Sequence, residues 1–402
     1  MKKKSFLFVV NNFNIGGPQK SLLALLYSLD LKIIEVELVS LSNSGTLLPY
    51  LPPEVKIIKV SPLVNYALLS PENFKSETLK MLFFKNIRLA FNALSSVIKG
   101  QLNKKMVQEK QRYWLLVKDN LPKLEKKYDY AFGVSGGHSM MFIEDCVNAK
   151  KKIGWIRSDY RVLKRDLKID RMYFEKMDLI LSVSEMCKDI FLELFPETKN
   201  KVQVFYNMLP FKMYDNIPAE TSKMLVNNDV LKLLTICRLD PHKGLDLALD
   251  ALELLLKKGL KIKWFVLGEG SYRQELEKMI MKRGMSEYLI LLGFQLNTAE
   301  FIKVADIIVH PSKFEGKSNV VDEAKYLLKP IVATRYNTVN EQISHSETGM
   351  IAEMSAESIV ENIMKITDSS ILKEKLIRNL KTQQVNDDLS VSKFERIIED
   401  LD

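Results

Sequence analysis

Cysteine is scarce in this chain: Cys146, Cys187 and Cys237 are the only three among 402 residues. They show neither a Cys-x-x-Cys pair nor metal-ligand spacing, which fits a reduced, cytosolic setting. The four histidines are equally dispersed, so the sequence offers no histidine–cysteine site and no bound metal is expected. Long hydrophobic runs are missing too. No stretch approaches the ~20 apolar residues that a membrane-spanning helix needs. The start, Met1-Lys2-Lys3-Lys4 followed by Ser5-Phe6-Leu7-Phe8-Val9-Val10, has the charge order of a secretory signal. The apolar run stops at Asn11-Asn12 and no small-residue cleavage site follows, so a buried first strand is expected instead. No nucleic-acid motif with defined spacing occurs, and no nucleic-acid partner is expected.

The length of 402 residues accommodates two or three domains, and 47% hydrophobic residues is ordinary for a soluble globular protein. The net charge is +9, with the excess concentrated between Lys75 and Lys127. Nucleic acid, an anionic membrane surface and acidic small substrates compete to explain it.

The chain reads as alternating strands and helices. Strands are expected at 5–10, 35–42, 56–60, 130–134, 152–156, 178–183 and 202–206, the last ending at Asn207. After a polar, proline-containing stretch at 208–230 the alternation restarts with strands at 231–237, 262–267, 289–292, 307–309 and 331–333. Two doubly wound α/β domains follow: 1–207, a linker at 208–230, and 231–378, with a helical tail at 379–402 that crosses back to the first domain. Residues 75–124 read as a long helical region, in which Leu82, Phe83, Phe84, Ile87 and Phe91 interleave with Lys80, Lys85, Arg88, Lys99, Lys104 and Lys105. A basic amphipathic surface helix and a buried helix with snorkelling lysines both fit this pattern.

Three segments carry chemistry. Gly16-Gly17 lies between the first strand and a helix, where backbone comes close to a ligand and helix N–H groups suit phosphate; a plain strand-to-helix turn fits as well. Arg238-Leu239-Asp240-Pro241-His242-Lys243-Gly244 follows a strand and precedes a helix. Two cations there can neutralise a diphosphate, a poor leaving group until its charge is stabilised; alternatively they form a solvated basic turn. Phe314-Glu315-Gly316-Lys317-Ser318-Asn319-Val320-Val321-Asp322-Glu323-Ala324 sits between two apolar runs, with Glu315 in the loop at a strand end and Glu323 in the helix. Ligands of open α/β sheets collect at strand ends. Two carboxylates there can hold sugar or ribose hydroxyls, although two solvated helix-end carboxylates fit the spacing alone.

Taken together, Arg238-x4-Lys243-Gly244, Gly268-Glu269-Gly270, Gly293-Phe294, Pro311-Ser312-x2-Glu315-Gly316 with Glu-x7-Glu, and Lys329-Pro330-Ile331-Val332-Ala333-Thr334 resemble, in order and spacing, the retaining glycosyltransferases of family 4, glycosyl transferases group 1. Gly16-Gly17 and Asn207 match the amino-domain elements of that family. The version at 315–325 looks like members from bacterial surface-polysaccharide pathways. The resemblance implies the GT-B fold, two Rossmann-like domains facing a cleft. It implies that Arg238 and Lys243 grip the donor diphosphate, that Glu315 faces the donor sugar and that Glu323 binds ribose. It places Gly16, Gly17, Gly268, Gly293, Phe294, Gly316, Lys317, Ser318, Asn319 and Val320 at the donor. No cofactor is implied beyond the nucleotide sugar, and no metal held by Asp-x-Asp.

One departure matters. Related sequences often carry His after the Trp-Ile pair, where this chain has Arg157. Arg cannot act as a base. It can stabilise phosphate or bind an anionic acceptor, and Arg157 and His138 are the acceptor-side candidates. The expected activity is retaining transfer from a UDP-sugar to a bacterial surface glycan, lipid-linked or not. The expected location is cytoplasmic, at the inner face of the plasma membrane if the basic region meets anionic lipid. A UDP-sugar epimerase on the same fold, and a non-catalytic glycan-binding or partner-stabilising subunit, stay open as alternatives.

Overall fold

The computed structural model describes residues 3–14, 16–69, 87–214, 229–383 and 387–401. The chain divides into two compact units, Met1–Asn207 with Val391–Asp402, and Met208–Ser390. Each is built on a parallel sheet whose central strands are buried apolar runs, as strands covered by helices on both faces must be.

In the first unit seven strands run in the order β3-β2-β1-β4-β5-β6-β7. They are β1 Lys4–Val10, β2 Ile34–Ser40, β3 Lys56–Ile58, β4 Lys127–Gly133, β5 Asn148–Ile156, β6 Leu179–Ser182 and β7 Val202–Val204. The strand order reverses between β1 and β4, which pair in parallel from Phe6 opposite Tyr130 to Val9 opposite Gly133. One face of this junction is aromatic: Phe8 stacks on Phe132 with centroids 4.5 Å apart, and Phe6 meets Tyr130 edge-on. The last helix, Asp387–Glu399, closes that face. Its Phe394 packs on Phe132 and Phe205, and the carbonyl of Ile398 accepts a hydrogen bond from the Tyr130 hydroxyl at 3.3 Å. The tail thus contributes a helix to the first unit, tied there by Val391, Phe394, Ile397 and Ile398, all buried.

In the second unit six strands run β10-β9-β8-β11-β12-β13. They are β8 Leu231–Ile236, β9 Ile262–Leu267, β10 Leu289–Gly293, β11 Ile307–His310, β12 Ile331–Thr334 and β13 Met350–Ala352. The order reverses between β8 and β11, a doubly wound arrangement whose ligand crevice opens at the carboxyl ends of those two strands.

The helical region expected at 75–124 is corrected in part. Where described it forms two helices, Ile87–Leu102 and Met106–Val117. The break falls at Lys104, which takes φ +52° while the amide of Lys105 bonds back to the Gly100 carbonyl. Lys80, Lys85, Leu82, Phe83 and Phe84 lie outside the described residues, as does most of the expected linker, 215–228. On the first of these helices Phe91, Leu94, Ile98 and Leu102 are exposed, while Ala90, Ala93 and Ser96 face the interior. Among the described residues no helix is long and apolar enough to cross a membrane.

Candidate active site

The second unit gathers its charged residues where β8 and β11 end. After β8 the chain turns through Asp240, whose carboxylate accepts a hydrogen bond from the His242 amide at 3.0 Å. Gly244 follows with φ +66°, and a Cβ there would lie 1.8 Å from the Pro311 carbonyl oxygen. Only glycine permits that approach. The turn is thereby pressed against the loop that leaves β11, and Lys313 donates its amide to the His242 carbonyl across the contact. Lys243 Nζ consequently reaches Glu315 Oε1 at 2.7 Å.

The same Glu315 oxygen lies 3.0 Å from Nε2 of His310, the buried last residue of β11. An ionised carboxylate only accepts, so the imidazole carries its proton on Nε2. Burial pushes the Glu315 carboxyl up, but the His310 hydrogen bond and the Lys243 charge outweigh it and hold the group down to about 2. Glu315 is therefore ionised at neutral pH, and among the described residues Oε2 takes no hydrogen bond, which leaves it available to a ligand hydroxyl. His310 was missed in the sequence, where a histidine ahead of Pro311-Ser312 carries no mark beyond its place at a strand end.

Glu323 lies in the helix Asn319–Tyr326 and is 1% exposed. Thr298 Oγ1 donates to its Oε2 at 2.6 Å, which leaves the Tyr214 hydroxyl, 2.8 Å from Thr298, as donor to the threonine. Burial, with the Glu323 charge second, raises the Tyr214 phenol far above its usual value. Tyr214 closes a short helix, Phe211–Tyr214, whose Phe211 ring stacks on Tyr326 at 4.1 Å. No sequence spacing links Tyr214 and Thr298 to Glu323.

The loop between the two glutamates is clamped. Gln342 accepts from the Ser318 amide at 2.9 Å and donates to the Ser318 carbonyl at 2.7 Å and to Asp322 at 2.9 Å. Thr338 Oγ1 donates to the Glu315 carbonyl, and Ser318 caps the helix by accepting from Val321. Lys317 pairs with Asp322. Gly316, Asn319 and Val320 belong to this clamped segment at the helix amino end, where N–H groups face outward from the first turn. Gly268 takes φ +139° beneath the Cys237 carbonyl, beside the β8 end, and donates its amide to the Gly293 carbonyl; Gly293 and the half-buried Phe294 lie one strand further out, at the end of β10. Arg238 is not brought into the Lys243–Glu315 pair. Its side chain is 69% exposed, with Asp240 3.8 Å away.

In the first unit Gly16 and Gly17 open the helix Gly17–Ser28. Ser21 of that helix lies 3.5 Å from Arg157, which follows β5. Arg157 donates from Nη1 to Asn207 Oδ1 at 2.6 Å and from Nε to the Val134 carbonyl at 3.1 Å. Its guanidinium stacks on the Trp155 indole at 3.6 Å. Arg157, Ser135, Gly136, Gly137 and Asn11 line a cavity of about 280 Å³ at the ends of β1, β4 and β5. His138 is not part of that wall. Its ring meets Trp114 and its Nε2 lies 3.4 Å from the Lys110 carbonyl, and burial, helped by the Arg165 charge, pushes it down to about 3. Among the described residues no three His, Cys, Asp or Glu side chains gather to hold a metal ion.

Residues 216–383 match the family described as glycosyl transferases group 1. An uncharacterized glycosyltransferase of Methanocaldococcus jannaschii is 27% identical over 42% of this chain and 42% of its own length. The N-acetylgalactosamine-N,N'-diacetylbacillosaminyl-diphospho-undecaprenol 4-alpha-N-acetylgalactosaminyltransferase of Campylobacter jejuni is 26% identical over 56% of this chain and 59% of its own length. The match spans between 39% and 59% of the length of the first such relatives. The crystal structure of HepE from Anabaena in complex with UDP-glucose superposes with a TM-score of 0.69 at 14% identity, covering 98% of this chain and 99% of that one. The fold is GT-B, and the resemblance to group 1 glycosyltransferases read from the motifs holds.

Proposed function

We propose, from a GT-B chain whose second unit matches glycosyl transferases group 1, that this protein transfers a sugar from a UDP-sugar to a bacterial surface-glycan acceptor with retention at the anomeric carbon. The observation that carries the reading is the Lys243–Glu315–His310 cluster at the point where the second sheet reverses its strand order. Lys243 supplies a fixed cation for the departing diphosphate, and Glu315 presents its unengaged oxygen to a donor-sugar hydroxyl. Arg238 adds a second cation from the same strand end. Glu323, held by Thr298, is the ribose acceptor. In the transfer the bond from the anomeric carbon to the phosphate oxygen breaks and the bond to the acceptor oxygen forms. The acceptor proton passes to the departing phosphate oxygen, so no enzymic base is needed.

The relatives named above include one whose acceptor is a diphospho-undecaprenol glycan. A lipid-linked acceptor here is supported by the helix Ile87–Leu102. It carries no acidic residue, exposes Phe91, Leu94, Ile98 and Leu102, and sets exposed Arg88 and Lys99 beside them. Apolar side chains that insert and cations that meet anionic headgroups are what a membrane-surface helix needs.

A thermal-shift panel of nucleotide sugars tests the reading, because a ligand that binds only the native state raises its apparent stability. UDP and one UDP-sugar should raise the midpoint. A panel in which no nucleotide or nucleotide sugar stabilises the protein would contradict it, and conversion of the donor to another UDP-sugar without transfer would indicate an epimerase.

A further inference from the structure

The cavity in the first unit has a chemistry that donor transfer does not account for. Seven buried side-chain polar atoms lack a hydrogen-bond partner among the described residues, and four of them belong to residues of this one wall: Asn11 Oδ1, Ser135 Oγ, Trp155 Nε1 and Arg157 Nη2. Buried polar groups are ordinarily paired, so such a concentration signals groups kept for a ligand. Three of the four are donors, and one is a cation. Among the described residues Arg157 bonds to the Val134 carbonyl, Ser21 and Asn207, and no carboxylate pairs with it. Burial accordingly pulls it down to about 9, so it is charged at neutral pH with no counterion among the described residues. The other arginine on the wall, Arg165, is already paired with Asp170 at 2.6 Å. Gly137, the N-cap of the helix His138–Cys146, completes the wall with a helix amino end. Asn11 Oδ1 can only accept, and suits a hydroxyl.

We propose that this cavity binds the phosphate group of a hydroxyl-bearing phosphate ester other than the nucleotide, with Arg157 as its counterion and Ser135 and Trp155 as further donors. That this ester receives the sugar rests on the transferase reading; that it binds here does not.

Calorimetric titration of the full chain with inorganic phosphate and with glycerol phosphate tests this. Arg157→Gln should weaken glycerol phosphate binding at least about tenfold, the scale of a hydrogen bond to a charged group. Arg157→Lys should stay within about fivefold, because the charge remains while the planar fork is lost. Ser135→Ala should cost about threefold, and it keeps the test decisive should Arg157→Gln fail to fold. Three results overturn the proposal: no binding of either probe, equal binding in wild type and both neutral variants, or competition by UDP with loss in Lys243→Ala instead of Arg157→Gln. A chain that binds glycerol phosphate through Arg157 yet ignores UDP retains this site and loses the transferase reading. A chain that binds UDP but neither phosphate probe does the reverse.

Discussion

The two units end their central strands in opposite electrostatic states. In the second, the charges close on one another: Lys243 on Glu315, Lys317 on Asp322, and Gln342 across the intervening backbone. In the first, Arg157 is buried against an indole, with amide, hydroxyl and carbonyl partners and, among the described residues, no carboxylate. A compensated cluster is rigid before its ligand arrives, so its binding energy goes to orientation and leaving-group charge. An uncompensated cation is costly until an anion meets it. On the proposed reading the chemistry belongs to the second unit and selection of a charged ligand to the first.

The largest expected effect breaks the compensated side. Lys243→Ala should lower turnover by about 10²–10³, the range for one preorganised electrostatic contact, with the circular dichroism spectrum preserved. Steady-state UDP release measures it, and full activity in the folded variant would remove Lys243 from the reaction.

A smaller effect sharpens the first unit's part. Arg88→Gln with Lys99→Gln should weaken binding to anionic liposomes about thirtyfold at low salt, since each surface cation is worth about 1 kcal/mol there. UDP affinity should not change. Co-sedimentation that ignores both lipid charge and these substitutions would leave the Phe91–Leu102 stripe without a membrane role.

Below that stands Glu323, the carboxylate proposed for ribose. Glu323→Gln should weaken UDP about tenfold, because a neutral acceptor forms a weaker hydrogen bond than a carboxylate. Tyr214→Phe removes the hydroxyl that orients Thr298 and should cost about threefold, on the scale of one neutral hydrogen bond. Equal UDP affinity in all three proteins would take Glu323 out of the site.

The remaining effect is thermodynamic. Glu315 is held down to about 2, below the ordinary carboxylate value near ~4.3. Its stabilising contribution is therefore present above that ordinary value and is lost as pH falls toward about 2. Urea midpoints measured between neutral pH and that acid window should fall less steeply for Glu315→Gln than for wild type. Parallel curves would show that Glu315 is not held ionised by its neighbours.

Much of this architecture was legible in the sequence because its evidence is local. Apolar runs such as Ile307–Val309 and Ile331–Ala333 mark buried parallel strands, whereas the close backbone approach that bars a side chain at Gly244 and Gly268 showed only in the structure. Lys243 and Glu315 were each legible as members of motifs, but their 2.7 Å pairing was not, since it depends on two loops from strands adjacent in space and distant in sequence. Tyr214, Thr298 and Gln342 were invisible for the same reason. The strand Met350–Ala352 was missed because three residues carry no periodicity. The break at Lys104 was hidden because a non-glycine residue takes the left-handed conformation there.

Hydrogen exchange read by mass spectrometry, with and without a saturating UDP-sugar, tests the central assignment most directly. Exchange should slow in the 238–244 turn and across 315–326, the segments that carry Lys243, Glu315 and Glu323. Protection confined to the first unit, or none in either segment while the nucleotide sugar is bound, would contradict it.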